Sequence, residues 1–151
     1  MKGGANLEVG LIQEYKNVSL TKEIVEMFAD IIQKDEWMLE VFYYIVKRRQ
    51  DEKENFIGVT VNEISKDVKL ERPVKVVKGK HANFEIQTTN IHRQAAGKIV
   101  DKLSAMSLLS YKPLTPYKYL FITKRGLQVI KEIVDRKNNQ LGDEASGKVI
   151  Y

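Results

Sequence analysis

Apolar residues recur at helical spacing in five stretches of the chain, and this spacing predicts five amphipathic helices. Thr21 and Asp35 precede the first two helices and are typical N-cap residues, while Thr60 and Glu63 have the spacing of a capping box at the third. The second helix is apolar almost all round, so we expect it to be the most buried. The predicted helices span residues 20–34, 37–49, 61–70, 89–106 and 124–137.

Two segments outside these helices predict β-strands. Residues 56–59 (FIGV) are short and apolar, and residues 109–122 hold two strand-like stretches around the turn formers PLTP, which is the pattern of a β-hairpin. Residues 1–18 predict an N-terminal arm or edge strand, and residues 138–151 predict a flexible tail.

Residues 71–87 (ERPVKVVKGKHANFEIQ) interrupt the helical pattern. Pro73 breaks any continuation of the preceding helix, because proline lacks the backbone N–H that a helix interior needs. Two apolar pairs then flank Gly79, which predicts either a hairpin or an ordered loop. The pairs are Val74 with Val76, and Phe84 with Ile86.

The order of the elements predicts the fold class. Helix, helix, short strand, helix, connection, helix, hairpin and helix describe a mainly α protein with a small β-hairpin wing (α+β). This is the order of a winged helix-turn-helix with extra N- and C-terminal helices, and we expect the domain to span residues 19–137. A hairpin directly after the third helix of the core distinguishes this fold from a generic helical bundle.

The helix predicted at 89–106 has an unusual outer face. Gly97 lies on it with Ala95 at its edge, although glycine costs about 1 kcal/mol relative to alanine inside a helix. Polar side chains surround the bare surface at Gly97. Arg or Lys side chains can hydrogen-bond to the edge of guanine, and Asn or Gln side chains can hydrogen-bond to the edge of adenine. Such a face would let the helix backbone approach DNA closely, or would accommodate another helix or a second protomer.

Charge is distributed unevenly along the chain, whose formal net charge is +5. Residues 71–127 hold eleven Lys or Arg against three acidic residues, a net of +8, and the remainder has a net of −3. This asymmetry favours a polyanionic partner for the basic segment. A solvated basic surface is the alternative interpretation.

The sequence thus predicts a site for double-stranded DNA with three parts. Thr88 or Thr89 would cap the recognition helix, whose free N-terminal N–H groups can hold a phosphate. The loop around Gly79 and the wing would contact the DNA backbone or minor groove, or would be hydrated turns without a partner. The residues predicted to bind DNA are Thr88, Thr89, Asn90, His92, Arg93, Gln94, Gly97, Lys98, Lys112, Tyr117, Lys118, Lys78 and Lys80.

The stretch AAGKIVDKLSAMSLLSYK (95–112), followed by a hairpin and LFITKRGLQVIKEI (120–133), resembles the MarR-type family of winged-helix transcriptional regulators. In that family a Leu-rich turn ends the recognition helix before a G-L-I or G-L-V start of the wing, and L-T-x-x-G opens the last helix. The resemblance covers about residues 58–135. It implies a homodimer that reads a pseudo-palindromic operator and dimerises through its terminal helices.

The chain departs from that family pattern at three places. Ser107 replaces the usual glycine before the wing, and the wing KPLTPYK is short and lacks the Asp-Arg tip. The two helices of the helix-turn-helix are joined by about seventeen residues instead of a tight turn. Ligand-responsive repression is therefore not implied, and the sequence names no small-molecule effector.

Other chemistry has little support in the sequence. There are no cysteines, and His81 and His92 are the only histidines, so we expect no metal site, no cofactor and no enzyme activity. His92 is expected to project toward the apolar side of its helix. No stretch predicts a signal peptide or a membrane span, and we expect a cytoplasmic protein without a membrane partner.

The helices at 20–34 and 124–137 are expected to form a homodimer, because each has an apolar stripe wider than one small domain needs. The expected function is that of a dimeric transcriptional regulator that reads the major groove with helix 89–106 and the backbone with a wing at 109–122. Two alternatives share the same core. One is a plasmid or phage partition or replication protein that binds DNA, and the other is a winged helix that binds a protein.

Overall fold

The fold is that of a computed structural model, which describes residues 18–145. Within these residues it is an α+β arrangement of five α-helices, one 3-10 helix (Lys53–Asn55) and two separate antiparallel hairpins. The helices are α1 (Lys22–Gln33), α2 (Glu36–Glu52), α3 (Val61–Asp67), α4 (Arg93–Ala105) and α5 (Lys124–Ala145). The strands are β1 (Lys69–Lys78), β2 (His81–Asn90), β3 (Leu109–Leu114) and β4 (Tyr117–Ile122).

The predicted starts of α1, α2 and α3 are confirmed. The side chains of Thr21 and Asp35 each accept a hydrogen bond from a backbone N–H in the first turn of their helix. At α3, Thr60 Oγ1 accepts from Glu63 N at 3.2 Å, and Glu63 Oε1 accepts from Thr60 N at 2.9 Å. Short polar side chains begin these helices because the first N–H groups have no acceptor within the helix.

A shared apolar core lies around α2, which packs against α1, α4 and β4. Phe42 and Ile45 of α2 are fully buried, and Leu103 of α4, Leu120 of β4 and Ile133 of α5 enclose the same core. Burial of each such side chain contributes about 1.5–3 kcal/mol to folding. The core therefore joins the N-terminal helices to the segment that carries α4 and the β3–β4 hairpin.

A polar cluster holds α3 against α2. Tyr44 Oη donates to Asp67 Oδ2 at 2.6 Å, and Arg48 Nη1 donates to Tyr44 Oη at 2.9 Å and to Glu63 Oε2 at 3.3 Å. Burial, followed by the hydrogen bond to Asp67, raises the pKa of Tyr44 to about 12. The hydrogen bond from this phenol to Asp67 helps to hold the orientation of α3.

The end of α4, the β3–β4 hairpin and the start of α5 meet at one junction. Ser107 N donates to Ser104 O and Leu108 N donates to Leu103 O, a closing pattern that places Ser107 at a φ of 65°. Thr123 Oγ1 donates to Ser107 O at 2.7 Å and accepts from Gly126 N at 3.0 Å. Thr123 therefore caps the start of α5.

The connection between α3 and α4 is a longer hairpin than the sequence predicted. The helix α3 ends at Asp67 rather than near Leu70, and β1 and β2 then pair along ten residues each. Ile91 N donates to Val68 O at 3.2 Å, directly beyond the end of this ladder. Pairing with β2 therefore outweighs the weak local preference of residues 68–70 for a helix.

The register of this hairpin is shifted by one residue from the predicted pairing. Val74 lies opposite Glu85, whereas Phe84 lies opposite Lys75. Because side chains alternate between the two faces of a strand, Val74 is on the other face of the hairpin from Phe84 and Ile86.

The helix predicted at 89–106 is α4, and it begins later than predicted because the backbone pairs as a strand up to Asn90. Thr88 and Thr89 lie in β2, so the prediction that one of them caps α4 is wrong. The N-cap is His92, whose side chain makes no capping bond. His92 is exposed and Ile91 is the buried residue, so the predicted orientation of His92 toward the apolar side is also wrong.

Two further boundaries differ. The strand predicted at 56–59 is reduced to one antiparallel bridge between Val59 and Leu120. The helix α5 continues to Ala145, past the predicted end at 137. The predicted arm at 1–18 (except residue 18) and the last six residues of the predicted tail lie outside the described residues.

Gly97 in α4 and Gly126 in α5 allow a paired test of this packing. A Cβ on Gly126 would lie 2.5 Å from Leu108 O and 2.8 Å from Ile122 Cδ1, so Gly126→Ala should lower the free energy of unfolding by about 1–3 kcal/mol. A Cβ on Gly97 would meet no atom within 4 Å, so Gly97→Ala should raise it by up to about 1 kcal/mol. Urea unfolding measures both changes, and a Gly126→Ala protein of unchanged stability would contradict the close packing at Leu108.

Candidate nucleic-acid interface

Burial of one side of α4 determines which residues face outward. Ala96, Ile99, Val100 and Leu103 are buried in the core. The opposite side exposes the charged and amide side chains of the helix. These are Arg93, Gln94, Lys98, Asp101 and Lys102.

Gly97 lies on the outward side of α4, close to Arg93, Gln94 and Lys98 in the helical projection. No described atom lies within 4 Å of the position that a Cβ would occupy. Ala95 is exposed beside it. The backbone at Gly97 is therefore open to close approach by an external group.

The cations of this face are available to an external anion. Arg93, Lys98 and Lys102 form no ion pair with any other residue that the structure describes. Lys102 was not among the predicted site residues, although it follows Lys98 by four positions and so lies on the same side of the helix. Asp101 adds one negative charge on this side, further along α4.

Asn90 does not belong to the outward face of α4, contrary to the sequence prediction. It ends β2, and its Nδ2 donates to Ser65 O at 3.2 Å and to Lys66 O at 2.8 Å. Ser65 Oγ in turn donates to Ile91 O at 2.9 Å. These bonds attach the base of the β1–β2 hairpin to the C-terminal end of α3 and thereby set where α4 begins.

Thr88, Thr89 and His92 are exposed but are not on α4 itself. The threonines lie near the base of the β1–β2 hairpin, and His92 is the N-cap. Because no described side chain caps α4, the N–H groups of its first turn are without a side-chain acceptor, and such groups can bind a phosphate.

Lys78 and Lys80 flank the tip of the β1–β2 hairpin, on either side of Gly79. Lys78 Nζ lies 3.9 Å from Glu85 Oε1, and both side chains are exposed. Ten residues of strand correspond to roughly 30 Å, so the tip is far from α4 along the hairpin. The structure therefore does not bring these lysines together with Arg93 and Gln94.

The β3–β4 hairpin holds its lysines over aromatic rings. Lys112 Nζ lies 5.0 Å from the ring centroid of Phe121, and Lys118 Nζ lies 4.7 Å from that of Tyr111. Tyr117 is exposed and packs edge to face on Tyr119 at 6.4 Å. The positive charges are thus held along the strands, and Tyr117 lies at the tip.

The two hairpins adjoin opposite ends of α4, since β2 precedes its first turn and β3 follows its last.

Among the described residues, no group of three or more His, Asp or Glu could hold a metal ion. The described helices include none that is both long enough and apolar enough to cross a bilayer. The chain matches no protein-family model, no curated protein and no solved structure.

Proposed function

We propose that the chain is a sequence-specific protein for double-stranded DNA and acts as a dimeric transcriptional regulator in the cytoplasm, without enzyme activity. The helices α3 and α4 form a helix-turn-helix in this proposal, with α4 as recognition helix and β3–β4 as wing. The observation that carries it is the outward face of α4. There Arg93, Gln94 and Lys98 surround the open backbone at Gly97, and the cations have no acidic partner among the described residues.

The order and packing of the elements support a winged helix. The bridge between Val59 and Leu120 adds a minimal third strand to the β3–β4 hairpin, ahead of α3. The helix α4 then leads directly into the hairpin, and the hairpin leads directly into α5.

The likeness to MarR-type proteins has a physical basis at two positions. Ser107 stands where that family has glycine, and its φ of 65° lies in the left-handed region that favours glycine. Gly126 stands at the glycine of L-T-x-x-G, where the carbonyl of Leu108 leaves no room for a Cβ. These two positions support the resemblance to that family.

In this proposal the residues near the start of α4 read base edges in the major groove. Arg93 suits the O6 and N7 acceptors of guanine, and Gln94 suits the donor and acceptor of adenine. Lys98 and Lys102 contact phosphates and position the helix. Gly97 lets the helix backbone lie closer to the bases than a longer side chain would allow.

The dimer rests on the surface of α1. Within one chain α1 and α5 already pack together, and Arg136 Nη1 donates to Asp30 Oδ1 at 2.7 Å, so part of the predicted dimer stripe is used internally. Ile24, Met27 and Ile31 remain exposed on one side of α1. We assign this remaining apolar stripe to the second protomer.

Duplex DNA should bind with a steep salt dependence, the logarithm of the association constant falling by about 0.9 per phosphate neutralised. Arg93→Ala and Gln94→Ala should each reduce discrimination at one base pair by about 1–3 kcal/mol. Lys102→Ala should instead weaken binding to all sequences and lower the salt slope by about one. Selection from random duplexes, followed by fluorescence anisotropy at several KCl concentrations, measures these effects.

Asn90→Ala is the matched control for the reading face. It should lower stability by removing two hydrogen bonds at the hairpin base, while the selected sequence stays the same. Sequence preference that changed in Asn90→Ala but not in Gln94→Ala would place the reading surface elsewhere. Undetectable binding to any duplex at low salt would refute the function and favour a protein partner on the Gly97 face.

Substitution of Gly97 should separate stability from binding. Gly97→Leu fills open space and should fold normally, yet it should weaken specific binding about tenfold or more, equivalent to at least about 1.4 kcal/mol. Ala105→Leu, at an exposed position in the last turn of the same helix, is the control and should bind like the parent. Equal binding by both variants in the anisotropy assay would show that nothing approaches Gly97 closely.

The dimer assignment predicts that Met27→Glu produces a monomer, because each interface would bury an uncompensated carboxylate. Sedimentation equilibrium at micromolar concentration measures the mass. Ile57→Glu, on an exposed isoleucine outside α1, is the control and should remain dimeric. A monomeric parent protein would disprove the assignment.

A further inference from the structure

The β1–β2 hairpin has an apolar face that no described part of the chain covers. Cross-strand partners project to the same face, so Val77 and Ala82 lie on one side with Phe84, Pro73 and Ile86. Val77, Phe84 and Ile86 are 66%, 75% and 69% exposed. Exposed apolar residues that are scattered singly are ordinary, whereas several on one face of a ribbon indicate a binding surface.

The bonds and ring contacts that join the hairpin to the described body lie near its base. Asn90 bonds to the end of α3, and the Arg72 guanidinium lies 5.3 Å from the ring centroid of Trp37 and 3.8 Å from the carboxylate of Glu36. Every residue of β2 is exposed. The base is therefore held, and the distal half projects as an arm.

The positive charge of the arm favours a negatively charged partner. Residues 74–85 carry Lys75, Lys78 and Lys80 against a single carboxylate, that of Glu85. Lys75 lies opposite Phe84 and so shares the apolar face. A second copy of the arm would bring like charges together, whereas a nucleic acid offers phosphates to the lysines and base faces to the apolar side chains.

Connectivity places the arm beside the DNA that α4 would read. Ile91 and His92 alone separate β2 from α4, so the arm begins at the reading end of that helix. With α4 in the major groove, the next groove along the duplex is the minor groove, about half a turn or roughly 17 Å away. An arm of roughly 30 Å reaches it.

We infer that the β1–β2 hairpin is a DNA-bending arm. It lies in the minor groove next to the site read by α4 and inserts Phe84 and Ile86 between base pairs, while Lys75, Lys78 and Lys80 hold the flanking phosphates. Apolar side chains that enter from the minor groove unstack a base step and kink the duplex by about 20–90°. This inference rests on the proposed function, because α4 must first bring the arm to DNA.

The test uses the full chain and a duplex enriched from random sequence, with a fluorophore at each end and 2-aminopurine beside the selected site. Binding of the parent protein should bring the ends closer, seen as higher energy transfer, and should brighten the 2-aminopurine as its base step unstacks. The double variant Phe84→Ser with Ile86→Ser should keep its sequence preference and lose both signals. Ile57→Ser, whose isoleucine is 67% exposed, is the matched control and should keep both signals.

Each other outcome overturns the arm in a distinguishable way. Binding of the parent without a bend, or an unchanged bend in the double variant, refutes the arm and leaves the proposed function intact. Failure to bind any duplex refutes both. An unchanged bend together with a change in sedimentation mass of the double variant would assign the face to self-association. The variant sites are exposed, so urea unfolding should give the parental midpoint.

Discussion

The backbone carbonyls of Ser107 and Leu108 impose the constraint on which the C-terminal half of the structure depends. Thr123 Oγ1 donates to the first at 2.7 Å, and Thr123 N donates to the second at 3.0 Å. The first turn of α5 then lies against Leu108 O so closely that only glycine fits at Gly126. Ser107 accepts a left-handed conformation, at a cost of roughly 1–2 kcal/mol, to close α4 and start β3. One small set of bonds therefore orients α4, both strands of the β3–β4 hairpin and α5 together.

A small set of hydrogen bonds also fixes the other end of α4. Asn90 and Ser65 bind the strand that precedes the helix to α3, which Tyr44 holds against α2. With both ends held and the apolar side buried, the outward face of α4 has one orientation. Gly97 on that face weakens the helix by about 1 kcal/mol relative to alanine. Because both ends of α4 are held by these bonds, the helix tolerates this loss of stability. In the proposed function, the open backbone at Gly97 lets DNA approach the helix closely.

The two hairpins differ in how they are supported, and this difference accounts for their exposure. The β3–β4 hairpin contributes Leu109, Leu120 and Ile122 to the core, so its sheet is part of the domain. The β1–β2 hairpin is longer and buries none of β2, and its bonds to the described body lie near its base. A two-stranded ribbon has little stability by itself. Its exposed apolar face and its lysines are the features on which the inferred contact with DNA rests.

The sequence alone determined what depends on neighbouring residues: the helix caps, the helical spacing, the short hairpin at 109–122 and the concentration of positive charge in residues 71–127. Those features could be predicted because a capping hydroxyl or a turn acts within about four residues. The tertiary structure alone decided the start of α4, the role of Asn90 and the face of the long hairpin that carries Phe84. Each of these depends on a strand register, which is set by pairing between residues far apart in the chain, and a shift of one residue moves every side chain to the opposite face.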